Sequence, residues 1–346
     1  MLYKTFKEGG INLTTNEYMS AEELGVQNHI CLLEYGKENR NGVKNWTTED
    51  LKPYLKYLVN DEAVDTLFNG IIFNPISGRD NHYIFPMYTD FGNLPQKKDW
   101  KLALKWLFKS NHNLDAVSKN TAQGKKTDIW VTMPYPYTNQ TNFGELDDRS
   151  LNFNNEEDRV RAIQWWISKF LSKWNDATYL HEKLAFKGFV WQRASIPEQD
   201  ENLVKRVTSF IHEKGLLSLW LQQYGSTGCI NWKEFGFDAA CTHPNYYGET
   251  GPDYTWIPNT TVFAKYYHTG IQIPFGKGIL FKEGHLLDYL NFGYFNEYMH
   301  NSLLVFQFPN QTMREIYENH LTEYIYLYSF IKKTYKPVYP TAAFPS

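Results

Sequence analysis

Eight short apolar segments, each about as long as one β-strand, recur along this chain of 346 residues. A stretch with helical spacing follows nearly every one of them. Strand and helix alternating eight times in one chain predict a (β/α)8 barrel, in which eight parallel strands close on themselves inside a layer of helices. The eight segments are residues 30–36, 70–77, 129–136, 186–193, 217–225, 237–246, 269–276 and 303–308.

The stretches between these segments carry apolar residues at helical spacing. Residues 155–180 are the longest, and their tryptophan-rich stripe, which includes Trp166 and Trp174, is expected to pack outside strands three and four. Residues 47–66 open with Thr47 and two acids in the first turn, which is typical of a helix N-terminus. The other expected helices are residues 99–118, 198–214, 256–268, 283–301 and 312–333.

One domain accounts for almost the whole chain. We expect a TIM barrel over residues 1–336 and a proline-rich tail over residues 337–346. The connections after strands two and three, residues 78–98 and 137–154, are long and lack helical periodicity. Long loops at the C-terminal face of the strands are where barrel proteins build their binding sites. The polar residues at the strand ends should therefore surround the site.

Composition argues against several classes of function. The net charge of −3 provides no basic patch for nucleic acid. No apolar run approaches the roughly 18 residues of a membrane span, and the first residues do not resemble a signal peptide. The three cysteines, Cys31, Cys229 and Cys241, do not have the spacing of a zinc site or a disulfide framework. We expect no cofactor and no metal, since no nucleotide-binding or metalloprotease motif is present.

Aromatic residues make up 17% of the chain, and many of them fall in expected loops. Rings that stack on sugars are one reason for such a surplus, and ordinary packing around a wide barrel is another. Composition alone does not separate these two explanations.

Four motifs at the expected strand ends carry a resemblance to a known family. They are Met133-Pro134-Tyr135-Pro136, Gly188 to Ile196, His243 to Tyr247, and Gly270 to Phe275. Their order and spacing, together with Gln140 and Phe143-Gly144, resemble the bacterial family catalogued as domain of unknown function 4855, from strand one to strand seven. The resemblance implies a barrel similar to those of glycoside hydrolases, and hence a glycan or polysaccharide as the partner.

The resemblance also implies two glutamates that this chain lacks. The family pattern has glutamate where this chain has Ala194, at the end of strand four, and where it has Gln272, on strand seven. In retaining barrel glycosidases, carboxylates at the ends of these two strands act as acid/base and nucleophile, about 5 Å apart. Alanine cannot transfer a proton and glutamine cannot act as a nucleophile. The resemblance therefore implies positions 194 and 272 as the catalytic positions of an active form.

Three explanations for the missing carboxylates remain open. The chain is an engineered inactive variant, a natural relative that binds glycan without cleaving it, or an enzyme that uses other carboxylates. Pro274 and Gly276 also depart from the family pattern, which favours natural divergence of strand seven. Ala194 lies in an otherwise polar strand end, which favours engineering at that position.

Glu34 and Glu249 are the other candidate catalytic carboxylates. A barrel enzyme that used these two would have a chemistry different from that of the glycosidases described above. Glu34 ends strand one, where a salt bridge or hydrogen bond inside the barrel is the competing interpretation. Glu249 and Asp253 follow the motif that begins at His243, where a solvated loop charge competes with a role at the mouth. Asp80 follows strand two, and a turn-forming role competes with substrate binding there.

We therefore expect a glycoside hydrolase-like barrel that acts on a polysaccharide or other glycan. A non-catalytic glycan-binding module on a hydrolase scaffold is the alternative. Aromatic side chains are expected to stack on sugar faces, and polar ones to bond sugar hydroxyls. The stacking residues are Trp191, Tyr135, Tyr246 and Trp256, and the hydrogen-bonding residues are Gln222, His243 and Asn245.

The substrate site is expected to be the largest concave pocket of the molecule. Three loops should bound it, residues 78–98, 135–150 and 245–256, with Trp191 exposed at its floor. A protein that acts on glycans in this way is expected outside the cell or at its surface, as part of a longer or signal-trimmed chain.

Overall fold

The structure, a computed structural model, describes residues 16–36, 45–248 and 255–338. Eight parallel strands close into a barrel in which each strand pairs with its neighbours in the sequence and the first strand pairs with the last. The (β/α)8 TIM barrel expected from the sequence is therefore confirmed. The barrel strands are β1 (Ile30–Tyr35), β2 (Gly70–Pro75), β3 (Thr127–Met133), β4 (Leu184–Trp191), β5 (Leu217–Gln223), β6 (Ala239–His243), β7 (Gly270–Pro274) and β8 (Leu304–Gln307).

Helices connect the strands and cover the outside of the barrel. In the described ranges no helix is both long enough and apolar enough to cross a membrane. The main helices are α1 (Thr48–Leu55), α2 (Lys97–Leu107), α3 (Asn113–Asn120), α4 (Glu156–Asp176), α5 (Glu198–His212), α6 (Trp256–Tyr267), α7 (His285–Phe295), α8 (Met313–Asn319) and α9 (Leu321–Ile331).

The barrel strands are apolar on both faces because one face fills the interior and the other packs under the helices. Every residue of β2 and of β3 is buried. On the outside, the aromatic stripe of α4 packs on β4 as expected from its spacing. The ring of Phe170 lies 4.6 Å from that of Phe186, and Trp166 lies 6.2 Å from Phe189.

Helix α1 is shorter than the helix expected over residues 47–66. Its last part is instead an antiparallel hairpin, formed by Lys56–Val59 and Glu62–Thr66. The turn is made by Asn60 and Asp61, whose φ angles of 51° and 63° are left-handed. Two consecutive left-handed residues make the tight turn that matches the twist of a hairpin, and Asn and Asp tolerate this conformation well. The conformational preference of the two turn residues therefore ends the helix early, although the apolar spacing continues.

The connection expected as a loop over residues 137–154 contains a second hairpin. It pairs Gly144–Leu146 with Arg149–Leu151. The turn again uses two consecutive left-handed residues, Asp147 and Asp148, with φ angles of 50° and 61°. The same local chemistry thus produced both hairpins that the hydrophobic spacing did not indicate.

Candidate functional site at the barrel mouth

Each barrel strand carries, at or close to its C-terminal end, a polar residue that lines a single cavity at the mouth of the barrel. The cavity has a volume of about 570 Å³. It lies over the C-terminal ends of the strands, which is the face that carries the active site in TIM barrels. The eight polar residues, one from each strand end, are Glu34, Asn74, Thr132, Gln192, Gln223, His243, Gln272 and Gln307.

Gln272 is held in the cavity wall by three hydrogen bonds. Its amide nitrogen donates to the backbone oxygens of Gln222 at 2.9 Å and Cys241 at 2.5 Å. Its amide oxygen accepts from Nε2 of Gln307 at 2.5 Å. An oxygen atom facing the two backbone carbonyls would be repelled, so only the nitrogen end of an amide fits there. In this chain, position 272 thus requires an amide, because a carboxylate carries no hydrogen to donate.

Gln192 ties the ends of neighbouring strands together in a similar way. Its amide nitrogen donates to Oδ1 of Asn74 at 3.2 Å and to the backbone oxygen of Pro75 at 3.0 Å. Its amide oxygen accepts from the backbone N–H of Tyr135 at 3.1 Å. The amide nitrogen of Asn74 has no hydrogen-bond partner among the described residues. The amide oxygen of Gln307, whose nitrogen donates to Gln272, also has no partner among them. Both groups can therefore bond a ligand.

Glu34 supplies the only carboxyl group among the eight strand-end residues. Within the described part of the chain, no hydrogen bond or ion pair reaches its side chain, and the residue is half-buried in the cavity wall. Loss of solvation in the wall disfavours the charged form and raises the pKa of Glu34 to about 7. The residue is therefore protonated in mild acid and ionises near neutral pH.

We expect Glu34→Gln to change how stability depends on pH. An unfolded glutamate titrates near pH 4.3, whereas the pKa of Glu34 is about 7 in the folded protein. The wild-type protein should therefore lose stability relative to the variant as pH rises from about 4.3 to about 7, and below that range the stability difference should no longer change with pH. Urea unfolding between about pH 4 and pH 8 measures it. The exposed Glu283→Gln serves as control, and parallel curves for wild type and Glu34→Gln would contradict the assignment.

His243 presents a fixed hydrogen-bond donor to the cavity. Its Nδ1 accepts from the backbone N–H of Asn245 at 2.9 Å, which places the proton of the neutral ring on Nε2. Burial lowers the pKa of His243 to about 4, because it disfavours the charged ring. The ring is therefore neutral at physiological pH. Asn245, expected to bind sugar, instead holds this ring and donates to the backbone oxygen of Tyr224 at 3.1 Å.

Trp191 lies in the wall of the cavity, but it is only 2% exposed. Successive strand residues face opposite sides, and the neighbouring Val190 is paired in register with Thr132 of the inner wall. The indole therefore faces the outer layer, where its ring lies 6.0 Å from that of Tyr135. The expectation of an exposed ring at the floor does not agree with this geometry.

Two other expected residues of this region also lie in the wall. Ala194 lines the cavity, and its backbone oxygen accepts from the hydroxyl of Ser226 at 2.9 Å. Gln222 is fully buried, and its amide nitrogen donates to Oγ1 of Thr242 at 3.0 Å. Its neighbour Gln223 is half-buried and lines the cavity, and within the described residues no hydrogen bond involves its side chain.

Tyr135 and Tyr246 belong to the packing behind the mouth and not to the cavity lining. Tyr135 donates a hydrogen bond to the buried carboxylate of Asp200 at 2.7 Å. Tyr246 donates to the carboxylate of Asp288. Both rings are buried. Each phenol therefore anchors a loop instead of offering its face to a ligand.

Trp256 and Asp80 lie further from the cavity. The ring of Trp256, 37% exposed at the start of α6, meets Tyr224 edge-on at 5.8 Å and does not line the mouth. Asp80 is exposed in the loop after β2, where its backbone oxygen is bonded to the His82 ring. Glu249 lies outside the described residues, as does Asp253.

The cavity contains residues that the sequence analysis did not select as binding residues. At the strand ends they are Asn74, Thr132, Gln192, Gln223 and Gln307. Four of these five are amides, and their position at the strand ends was the signal that could have identified them individually. Of the three loops expected to bound the mouth, residues 78–98 contribute Phe85 and Met87, and residues 245–256 contribute Tyr247. No residue of 135–150 lines the cavity, and Leu280 and Pro309 come from loops outside the expected set.

A second, larger concavity of about 890 Å³ lies at the opposite end of the barrel, where the strands begin. Its lining is mostly charged and polar side chains at the surface, including Glu22, Lys265 and Lys333. The mouth cavity, which was expected to be the largest concave pocket, has a smaller volume than this one. The mouth cavity remains the candidate site because the strand-end side chains converge on it.

A TIM barrel whose mouth is lined by strand-end amides is the class of protein that the fold and the site define. The sequence pattern of the family named domain of unknown function 4855 matches residues 29–331, and the chain belongs to this family. No curated protein matches the sequence.

The fold is similar to that of solved tryptophan synthase structures from the hyperthermophile Pyrococcus furiosus. A mutant α-subunit is 12% identical, with 89% of this chain and 97% of that chain covered and a TM-score of 0.42. A chain of the tryptophan synthase complex is 13% identical, with the same coverage and a TM-score of 0.41. At these values the likeness concerns the fold alone.

Proposed function

We propose that the mouth of the barrel binds a neutral saccharide. The observation that carries this proposal is the chemistry of the cavity lining. Among the lining residues that the structure describes, amide, hydroxyl and imidazole groups supply the hydrogen bonds, and none is Lys or Arg. A cavity without cationic side chains offers little to a phosphate or carboxylate ligand, whereas sugar hydroxyls both donate and accept.

Unused hydrogen-bonding groups face the cavity from separate strands. The amide nitrogen of Asn74 and Nε2 of His243 are donors, and the amide oxygen of Gln307 is an acceptor. Thr132 is 2% exposed, and its hydroxyl has no hydrogen-bond partner among the residues that the structure describes. Buried polar groups are normally bonded, so an unpartnered hydroxyl in the lining favours a ligand or water as its partner. A ring of hydroxyls can satisfy such donors and acceptors together.

Partly exposed aromatic rings complete the lining. Phe85, Tyr247, Phe281 and Phe308 reach the cavity, and the rings of Tyr247 and Phe281 meet edge-on at 5.3 Å. Aromatic faces provide flat apolar surfaces for the C–H faces of a sugar. The combination of amides and rings therefore supports a saccharide over an entirely polar ligand.

The described lining favours binding without cleavage. Hydrolysis with two carboxyl groups needs both of them to flank the scissile bond, about 5 to 9.5 Å apart. Only Glu34 and Glu315 supply carboxyls to the described lining. Glu315 is already used, because it accepts from the backbone N–H of Thr312 at 2.7 Å in the cap of α8. A glycan-binding barrel therefore fits the lining better than a hydrolase with two carboxyl groups.

Acid-assisted glycoside hydrolysis is a second candidate, and one observation favours it. Burial raises the pKa of Glu34 to about 7, which is the range in which a general acid holds its proton and still releases it at neutral pH. Such a reaction needs a second group to stabilise the sugar cation or to activate water. Glu249, outside the described residues, is the position to test for that role.

Binding should be measured by calorimetry against a panel of soluble oligosaccharides. Gln223→Ala removes an unbonded amide from the lining and should weaken binding roughly fivefold or more, as loss of a typical hydrogen bond does. Gln123→Ala, at the opposite end of the barrel, is the matched control and should leave the affinity unchanged. Absence of binding to the whole panel, or equal effects of the two substitutions, would contradict the proposal.

Release of reducing ends from the oligosaccharides that bind separates the two candidates. A binding module releases none in any variant. If Glu34 is a general acid, the wild type should release product, with a rate that falls as pH rises through about 7, and Glu34→Gln should lose at least about a hundredfold in rate. Glu249→Gln then tests the second carboxyl.

A further inference from the structure

The cavity is polar at its strand-end wall and apolar at one part of its entrance. Two aliphatic side chains at the entrance are unusually exposed for their type, namely Met87 and Leu280, each 63% exposed. We refer to these two as the apolar rim. Phe85 and Phe281 line the cavity close by in sequence on the same two loops.

The exposure of Leu280 is imposed by a loop that is held at several points. The backbone N–H of Lys277 donates to the oxygen of Pro309 at 2.9 Å, and that of Lys282 donates to the oxygen of Tyr247 at 2.8 Å. His285 bonds both flanks, because its Nε2 accepts from Gly276 N–H at 3.2 Å and its Nδ1 donates to the oxygen of Lys282. The loop therefore presents Leu280 outward by its own hydrogen bonds.

The chemistry of the apolar rim suits a flexible hydrocarbon better than a second sugar. Sugar faces stack on flat rings, whereas methionine and leucine are aliphatic and adapt to irregular apolar groups. Polar groups near the rim are already bonded, because Thr312 and Glu315 form the cap of α8. They offer few hydrogen bonds to the hydroxyls of a sugar placed at the entrance. Exposed apolar side chains at the edge of a pocket are also typical of a binding surface.

We propose that the ligand is a glycoside with an apolar aglycone, whose sugar lies against the strand-end amides and whose hydrocarbon lies on Met87 and Leu280. This inference rests on the proposed saccharide site and adds to it the class of the attached group. The cavity volume of about 570 Å³ falls within the roughly 300–1,000 Å³ of sites for small ligands, so one sugar with part of an alkyl chain is a reasonable occupant.

Methyl and hexyl β-glycosides of glucose, galactose, mannose and N-acetylglucosamine test this inference by calorimetry. For a sugar that binds, the hexyl glycoside should bind at least about tenfold more tightly than the methyl glycoside, because each buried methylene adds affinity. The double variant Met87→Ser/Leu280→Ser should reduce this advantage to less than about threefold and leave the methyl glycoside unaffected. Ile279→Ser is the matched control, since Ile279 is 94% exposed on the same loop but does not line the cavity.

Each outcome decides between the two proposals. Equal affinity for methyl and hexyl glycosides in the wild type overturns the aglycone inference and leaves the saccharide site standing. Failure of every methyl and hexyl glycoside to bind overturns both. If Ile279→Ser also removes the higher affinity for the hexyl glycoside, the effect is not specific to Met87 and Leu280, and the aglycone inference is overturned. A change in oligomeric state of the double variant by light scattering, with unchanged hexyl affinity, would assign the apolar rim to protein contact and overturn the inference.

Discussion

Replacing Asp200 by asparagine is expected to lower the free energy of unfolding by about 3–5 kcal/mol, as when one partner of a buried ion pair is removed. The Asp200 carboxylate is fully buried and accepts from Nη2 of Arg159 at 2.7 Å and from the Tyr135 hydroxyl at 2.7 Å. Nη1 of Arg193 lies 3.4 Å away. Asparagine keeps the shape but leaves two guanidinium groups beside one another without a counter-charge.

Urea unfolding of Asp200→Asn at neutral pH measures this loss. Glu157→Gln is the matched control, because Glu157 and Arg206 form an ion pair at 2.9 Å with both side chains substantially exposed. Such exposed ion pairs contribute about 0–1 kcal/mol to the free energy of unfolding. If the two substitutions cost the same, the buried network does not stabilise the strand ends that carry the mouth.

Gln272→Glu is the second substitution with a large expected effect, about 3–5 kcal/mol of lost stability at neutral pH. The carboxylate would face the backbone oxygens of Gln222 and Cys241, which now accept from the amide. Both oxygens would lose their donor, and all three groups would repel. Burial beside carbonyl oxygens raises the pKa of a carboxyl, so the variant should be least unstable below about pH 4.3 and should lose stability as pH rises.

The control for this prediction is Gln223→Glu. Gln223 lines the same cavity but is half-buried, and its side chain forms no hydrogen bond with the part of the chain that the structure describes, so a charge there should cost less than about 1 kcal/mol. Thermal or urea unfolding over the same pH range compares the two variants. A Gln272→Glu protein as stable as the wild type at neutral pH would show that the strand end accepts a carboxylate, and it would support a catalytic origin for this position.

The fold could be predicted from the sequence because barrel strands and helices differ in a property that the sequence displays. Strands such as β2 and β3 are buried on both faces and appear as unbroken apolar runs, while the helices show a spaced stripe. The hairpin turns at Asn60-Asp61 and Asp147-Asp148 depend on two residues each. The helical pattern over residues 47–66 concealed the first of these short signals, and the second lies in a segment that was expected to be a loop.

The position of the mouth could be predicted, but the residues that face it could not all be predicted. An unbroken apolar strand gives no alternation, so the sequence does not show whether Gln222 or Gln223 points inward. The same ambiguity explains the expectation for Trp191, which lies on the outward-facing side of β4. Tyr135 was expected at the cavity because it is an aromatic residue at the end of strand three. Its partner Asp200 is 65 residues away along the chain. Pairings of that kind become visible only in the folded structure.

The ring of strand-end residues also determines when the site can exist. Its members are spread from Glu34 on the first strand to Gln307 on the last, and the barrel closes by pairing Ile30 with Val305. Gln307 also completes the bonds of Gln272. During synthesis, chains emerge from the ribosome N-terminus first. The mouth therefore cannot be assembled until nearly the whole barrel has been made, and no partial chain lacking the last strand should bind a ligand there.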